Sequence, residues 1–257
     1  MIPMIRSEFR KVTTTRVLMW LTIAIILFSI LNVTLLVFLS PRGMAQVSDV
    51  NPLLDPAYVT NIIGAAGSSS VFVLIIGIIG MTGEYRHMTI TSTFLVTPRR
   101  PRVLIAKGIS YAIIGAVLGA VAFVVSYAVT LLSLATTEHA AVDGTIALQI
   151  FTGVVLGFAL YALLGVALGG LIKVQVAAII GVLVWVLIIE ALLTVFVDWI
   201  GKWLPGGALD AVLQTTNVSG RGGTDILPIW AGALVLIGYV LVFGALASVT
   251  TLRRDIT

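Results

Sequence analysis

Apolar residues in this chain come in long unbroken runs, neither the alternation of a half-buried strand nor the narrow stripe of a surface helix. Five runs cover residues 17–39, 103–134, 146–172, 174–197 and 227–252. Each reaches the roughly 20 residues that a helix needs to cross a bilayer's hydrocarbon core. A sixth run, 58–82, is diluted by Gly64-Ala65-Ala66-Gly67-Ser68-Ser69-Ser70. It still predicts a span, because small residues let helices approach closely inside a membrane and hydroxyls can bond back to their own helix. Ahead of the first span, Ile2, Ile5, Phe9 and Val12 recur at helical spacing, with Arg6, Arg10 and Lys11 on other faces. Residues 1–15 therefore read as an amphipathic helix lying along the membrane interface. Before the last span, Trp203-Leu204-Pro205-Gly206-Gly207 and an apolar stretch over 208–213 predict re-entrant outer helices, packed in protein because lipid leaves backbone groups unpaired. The expected fold is an all-α polytopic membrane protein, one permease-like domain over 1–257 with six transmembrane helices.

Composition agrees with lipid as the main solvent. The chain is 59% hydrophobic and 10% charged, against the roughly 25% charge of a soluble domain. The net charge of +4 does not point to nucleic acid, because the basic residues cluster at the ends of apolar runs. With the N-terminus inside, Arg6, Arg10, Lys11, Arg16, Arg86, Arg99, Arg100, Arg102, Lys107, Lys173, Arg253 and Arg254 fall on the cytoplasmic side, and only Arg42, Lys202 and Arg221 outside. That bias predicts both termini in the cytoplasm and supports the count of six, since one span more or fewer would scramble it. The first run is too long for the 7–15 residue core of a cleaved secretory signal. Cysteine is absent, which removes disulfides, zinc thiolate sites and a Cys nucleophile.

The stretch between the second and third spans, 83–102, is longer than a connection needs. Gly83 is expected to end the second span, Glu84 to sit at the start of a short helix where a carboxylate is favoured, and Pro98 and Pro101 to stop that helix. Such a helix, showing Tyr85, Arg86, His87 and Phe94, suits a partner protein; Arg99, Arg100 and Arg102 suit a topology anchor equally well. Glu190 lies inside the fifth span. An ionisable residue there is costly unless it faces protein or water, so it is either a pathway group or an interhelical hydrogen bond. Gly153, Gly157, Gly165 and Gly169 recur at multiples of four along the fourth span and predict close helix packing.

The segment GEYRHMTITSTFLVTPRRPRVLIAK resembles the loop between the second and third spans of type 2 ABC exporter permeases. SEFRKVTTTR near the N-terminus, WVLIIEALL in the fifth span, LPGGAL in the last outer loop and the closing TLRRDIT resemble the same family, in the same order. The resemblance implies a permease subunit of an ATP-driven exporter in the bacterial plasma membrane. It would work as a dimer, with a homodimer favoured over a heterodimer, and be served by two copies of a separate ABC ATPase subunit. It also implies that Glu8, Phe9, Arg10 and Lys11 form one contact with that ATPase. Glu84, Tyr85, Arg86, His87, Thr89 and Phe94 would form the second, a cytoplasmic coupling helix. Trp185 and Glu190 would then line the pathway at the dimer interface.

The chain carries no Gly-x-x-x-x-Gly-Lys-Ser/Thr loop; its Gly201-Lys202 pair is followed by Trp203. ATP and Mg are thus expected on the partner, with no cofactor, catalytic residue or metal here. Ser68, Ser69 and Ser70 would need a nearby His base to act as nucleophiles, and His87 and His139 lie in loops on opposite sides. A secondary transporter would be expected to show repeats and midplane charges; a non-transporting scaffold leaves the 83–102 stretch unexplained. The apolar spans favour a drug, lipid or amphipathic peptide over a sugar or free ion as substrate.

Overall fold

The structure, a computed structural model, describes residues 2–39, 51–87, 100–135, 138–141, 143–214 and 226–250. Among these residues all regular structure is helical. Six helices are long and apolar enough to cross a membrane: Arg16–Phe38, Pro56–Arg86, Val103–Leu134, Gly144–Leu171, Gln175–Phe196 and Ile229–Val249. Each coincides with a run read from the sequence to within a few residues. The architecture is that of a multi-pass membrane protein.

Charge and turn chemistry set the helix starts. The Asp55 carboxylate accepts from Ala57 N–H at 2.9 Å, with Pro56 at the first helical position. Asp143 caps the fourth span in the same way, through Thr145 N–H at 2.8 Å. Both caps satisfy donors that a helix leaves orphaned at its first turn. The small-residue stretch of the second span is a 3-10 segment, Ala65–Ser69, embedded in an otherwise α-helical span. There Ser69 donates to Ala66 O at 2.8 Å, and Ser29 of the first span donates to Ser69 Oγ at 3.3 Å.

The second and fourth spans form the centre, 72% and 67% buried, whereas the first and fifth are 22% buried and the sixth 11%. Glycine explains how two helices share that centre. A Cβ on Gly77 would strike Ala162 O, and one on Gly165 would strike Leu74 O, so the two backbones run in direct contact, as small residues in membrane helices permit. The remaining glycines of the series also serve packing: Gly169 faces Ile78, while Gly153 and Gly157 face Val212 and Leu209 of the short helix Pro205–Leu213.

That short helix is buried along most of its length and packs against the fourth and sixth spans. One expectation is overturned at the opposite end of the bundle. Gly83 does not end the second span; the helix runs on through Glu84 and Tyr85 to Arg86. Glycine's helix penalty of about 1 kcal/mol is outweighed there by tertiary contacts that the last turn makes. Thr89 and Phe94, and the rest of the expected coupling helix over 88–99, lie outside the described residues. The third span begins at Arg100, with Pro101 in its first turn, where proline is tolerated.

Candidate functional site

The N-terminal helix Ile2–Thr13 lies against the bundle with Glu8 and Val12 buried and Ile5 and Phe9 partly so. Glu8 is three residues after Ile5 and four before Val12, so it shares their inward face. Its carboxylate meets two cations. Lys107 Nζ of the third span lies 2.5 Å from Glu8 Oε2, and Lys11 Nζ lies 2.7 Å from Oε1. Both cations also reach Glu84 Oε1 in the last turn of the second span, Lys107 at 3.0 Å and Lys11 at 3.1 Å. Lys107 donates further to Gly80 O at 3.1 Å and sits 5.5 Å from the centroid of the Tyr111 ring. Two carboxylates and two ammonium groups thus form a closed, neutral square.

Three of the four groups are shut away from solvent, the Lys107 side chain 2% exposed and those of Glu8 and Glu84 7% and 8%, while Lys11 is 46% exposed. Burial pushes the Glu8 carboxyl upward, but the charges and hydrogen bonds of Lys107 and Lys11 outweigh it and hold Glu8 below its ordinary range. Burial likewise opposes the charge on Lys11, and the bonds and charges of Glu8 and Glu84 raise it above its usual value. Geometrically, the square locks the N-terminal helix to the second and third spans on either side of the 88–99 connection. Lys107 is the member that sequence reasoning missed as a site residue. In the sequence alone it is one more positive residue at a span end; the signal is its position, four residues into the apolar run that begins at Val103.

The other residues singled out at this end differ in where they face. Phe9 and Tyr85 pack against the core, whereas Arg10, Arg86 and His87 are exposed. Arg86 donates to Gln175 Oε1 of the fifth span at 3.5 Å.

At the far end of the fifth span Glu190 is fully buried and accepts from Gly206 N–H at 2.8 Å. Gly206 belongs to the first turn of the helix Pro205–Leu213, whose N-cap residue Leu204 offers no side-chain acceptor. Pro205 has no N–H, so Gly206 carries an early free donor of that helix, and a carboxylate from another span does the capping. A carboxyl oxygen at this position also meets the positive end of the helix dipole. The span is shaped to bring it there. Ala178, Val182, Val186 and Glu190 are buried at spacings of four, which drift by about 40° per step on an ideal α-helix. The turn Trp185–Ile189 is π-helical, and its wider turn takes up part of the drift. Trp185 borders an apolar cavity of about 300 Å³ among the second, fourth, fifth and sixth spans, together with Leu74, Tyr161, Pro205, Tyr239 and Phe243. The Tyr239 hydroxyl on that wall donates to Trp203 O at 3.2 Å.

No family model and no curated protein matches the chain. No cluster of three or more His, Asp or Glu with metal-binding geometry occurs among the described residues.

Proposed function

We propose that this chain is the permease subunit of an ATP-driven exporter of the type 2 ABC kind. It sits in a bacterial plasma membrane with both termini and the charged square on the cytoplasmic side. Two protomers form the pathway, and each takes its energy from a separate ATPase subunit that holds the ATP and Mg. The observation that carries the reading is the square of Glu8, Lys11, Glu84 and Lys107. An engine pressing on the N-terminal helix or on the connection after His87 would move three helices as one body, because parting any of them strands a buried charge at a cost of about 3–5 kcal/mol. Glu84, Glu8 and Lys11 are in this proposal the inner rivets of the coupling region. Its exposed members are Arg10, Arg86 and His87, and the reading assigns Thr89 and Phe94, which lie outside the described residues, to the same ATPase contact. The apolar cavity beside Trp185 favours a hydrophobic or amphipathic substrate, since pockets select ligands that match their lining. Glu190 shapes the pathway by fixing the helix that closes its outer end.

Co-purification of the solubilised chain with a nucleotide-binding subunit is the first test, and failure of any such subunit to travel with it removes the exporter reading. In reconstituted vesicles, Glu84→Gln is expected to cut substrate-stimulated ATP hydrolysis about tenfold or more, one lost charge-assisted hydrogen bond being worth that much. Arg10→Glu, on an exposed face, is expected to weaken co-purification without disturbing the fold. Undiminished stimulation and co-purification in both variants would refute the coupling assignment.

A further inference from the structure

Beside the charged square lies an open crevice of about 440 Å³, bounded by the N-terminal helix, the first three spans and the start of the fifth. Its lining divides in two. One part is ionic, with Lys11, Arg86, Lys107, Glu8 and Glu84, and His87 on the exposed rim; the other is apolar, with Val12, Val17, Leu18, Ile76 and Ile79. Among the described residues of the lining three cations face two carboxylates, an excess of one positive charge. The carboxylates already accept from Lys11 and Lys107, which leaves the excess at the exposed Arg86. Along the second span, Ile76 lies ten residues from Arg86, or about 15 Å at 1.5 Å per residue. The crevice therefore runs from a cationic mouth at the end of the bundle into an apolar floor within the membrane-crossing part.

We propose that this crevice binds one anionic phospholipid, its phosphate held by Arg86 and Lys11 and an acyl chain laid along Val17, Leu18, Ile76 and Ile79. The charge excess selects an anion, and basic pockets between spans are suited to acidic headgroups. The apolar floor selects an anion that carries a chain, which a free phosphate or a nucleotide lacks. Two of the three donors of Lys11 go to Glu8 and Glu84, leaving the ammonium able to meet a phosphate oxygen. A lipid so placed would bridge the N-terminal helix and the second span next to the ionic square. The inference requires only that the chain crosses a bilayer, so it stands or falls apart from the exporter reading.

Gly83 supplies the decisive variant. It lines the crevice, lies within a helix, and a Cβ there would meet none of the described residues within 4 Å. Gly83→Leu would thus fill the crevice without displacing the core, and leucine favours helix more than glycine does. The full chain, delipidated in detergent, is to be examined by native mass spectrometry with phosphatidylglycerol, phosphatidylcholine or inorganic phosphate added. Expected are one tightly retained phosphatidylglycerol per chain, weaker phosphatidylcholine, and no competition from phosphate. Arg86→Gln should weaken phosphatidylglycerol retention about fivefold, the worth of one interfacial cation, and Gly83→Leu should abolish that adduct. Equal retention of the two lipids by the wild-type chain overturns the proposal, as does unchanged phosphatidylglycerol binding in Gly83→Leu. Displacement by inorganic phosphate also overturns it, showing a free-anion site instead. Should Arg86→Gln fail to fold, Gly83→Leu alone decides.

Discussion

The bundle buries carboxylates at both ends and treats them in opposite ways. Where the N-terminal helix meets the second and third spans, Glu8 and Glu84 are answered by whole charges, Lys11 and Lys107, at 2.5–3.1 Å. Some 20 Å along the fifth span from Gln175, at 1.5 Å per residue, Glu190 is met by the N–H of Gly206 at the start of a short helix. The first arrangement joins three helices that are distant in sequence, and every member depends on the others for neutrality. The second sets a Glu190 oxygen on one helix start, where it meets partial charges that are fixed in the backbone. Full charges couple bodies; a dipole positions one body. A joint that must carry force is expected to be of the first kind, and a wall that must keep its shape of the second.

The largest effect should come from removing the most buried cation. Lys107→Met keeps the unbranched stem of the side chain without its ammonium and leaves Glu8 and Glu84 with Lys11 alone, so a loss of about 3–5 kcal/mol is expected, read as a lower midpoint of thermal unfolding in detergent. Adding Glu84→Gln to Lys107→Met should cost less than the two single changes together, because the double variant has one carboxylate and one lysine left to pair. Strict additivity would mean that the square is a set of independent contacts. At the other end, Glu190→Ala should cost about 1.5–3 kcal/mol, the range for a hydrogen bond to a charged group. Glu190→Gln keeps an oxygen for Gly206 N–H and should recover half or more of that. If Gln behaves no better than Ala, the capping role is wrong and the charge itself is what the site needs.

The contrast also marks where the sequence was legible. The spans were, because a run of some 20 apolar residues has one physical solution in a membrane-sized helix, and the observed limits differ from the expected ones by a few residues. The glycine series of the fourth span was legible for the same kind of reason, since a recurring small residue has close packing as its use in lipid. The helix Pro205–Leu213 was expected from its apolar composition, but its cap was not, because the acceptor Glu190 stands 16 residues away from Gly206. The square was half legible. Glu8, Lys11 and Glu84 stand out as charges in local motifs, and the family resemblance assigns them to contacts with a partner, whereas Glu8 and Glu84 point inward. Apolar periodicity places Ile5, Phe9 and Val12 and is blind to a carboxylate on the same face whose partner is 99 residues distant. Gly83 misled for a related reason: local propensity favours a stop, and the contacts of Glu84 one residue on override it.

The smallest effect should separate the two members of the square that look alike in sequence. Lys11 touches the same two carboxylates as Lys107, but its side chain is 46% exposed, so water screens the pair and competes for its donors. Lys11→Met is expected to cost about 0.5–1 kcal/mol, as partly exposed ion pairs do, several-fold less than Lys107→Met. Titration sharpens the distinction. Glu8 is held below its ordinary value of 4.5, so its contribution is complete above that pH and is lost as pH falls from there through the folded-state value. Lys11 is raised above its ordinary value of 10.5, so its contribution is complete below that pH and is lost only as pH rises further. Between these limits the unfolding midpoint of the wild-type chain should show little dependence on either group. In Lys11→Met the alkaline loss should shrink and the acid loss should persist, because Lys107 still holds Glu8 ionised. An acid limb that vanishes with Lys11 would show that the exposed lysine, and not the buried one, carries the joint.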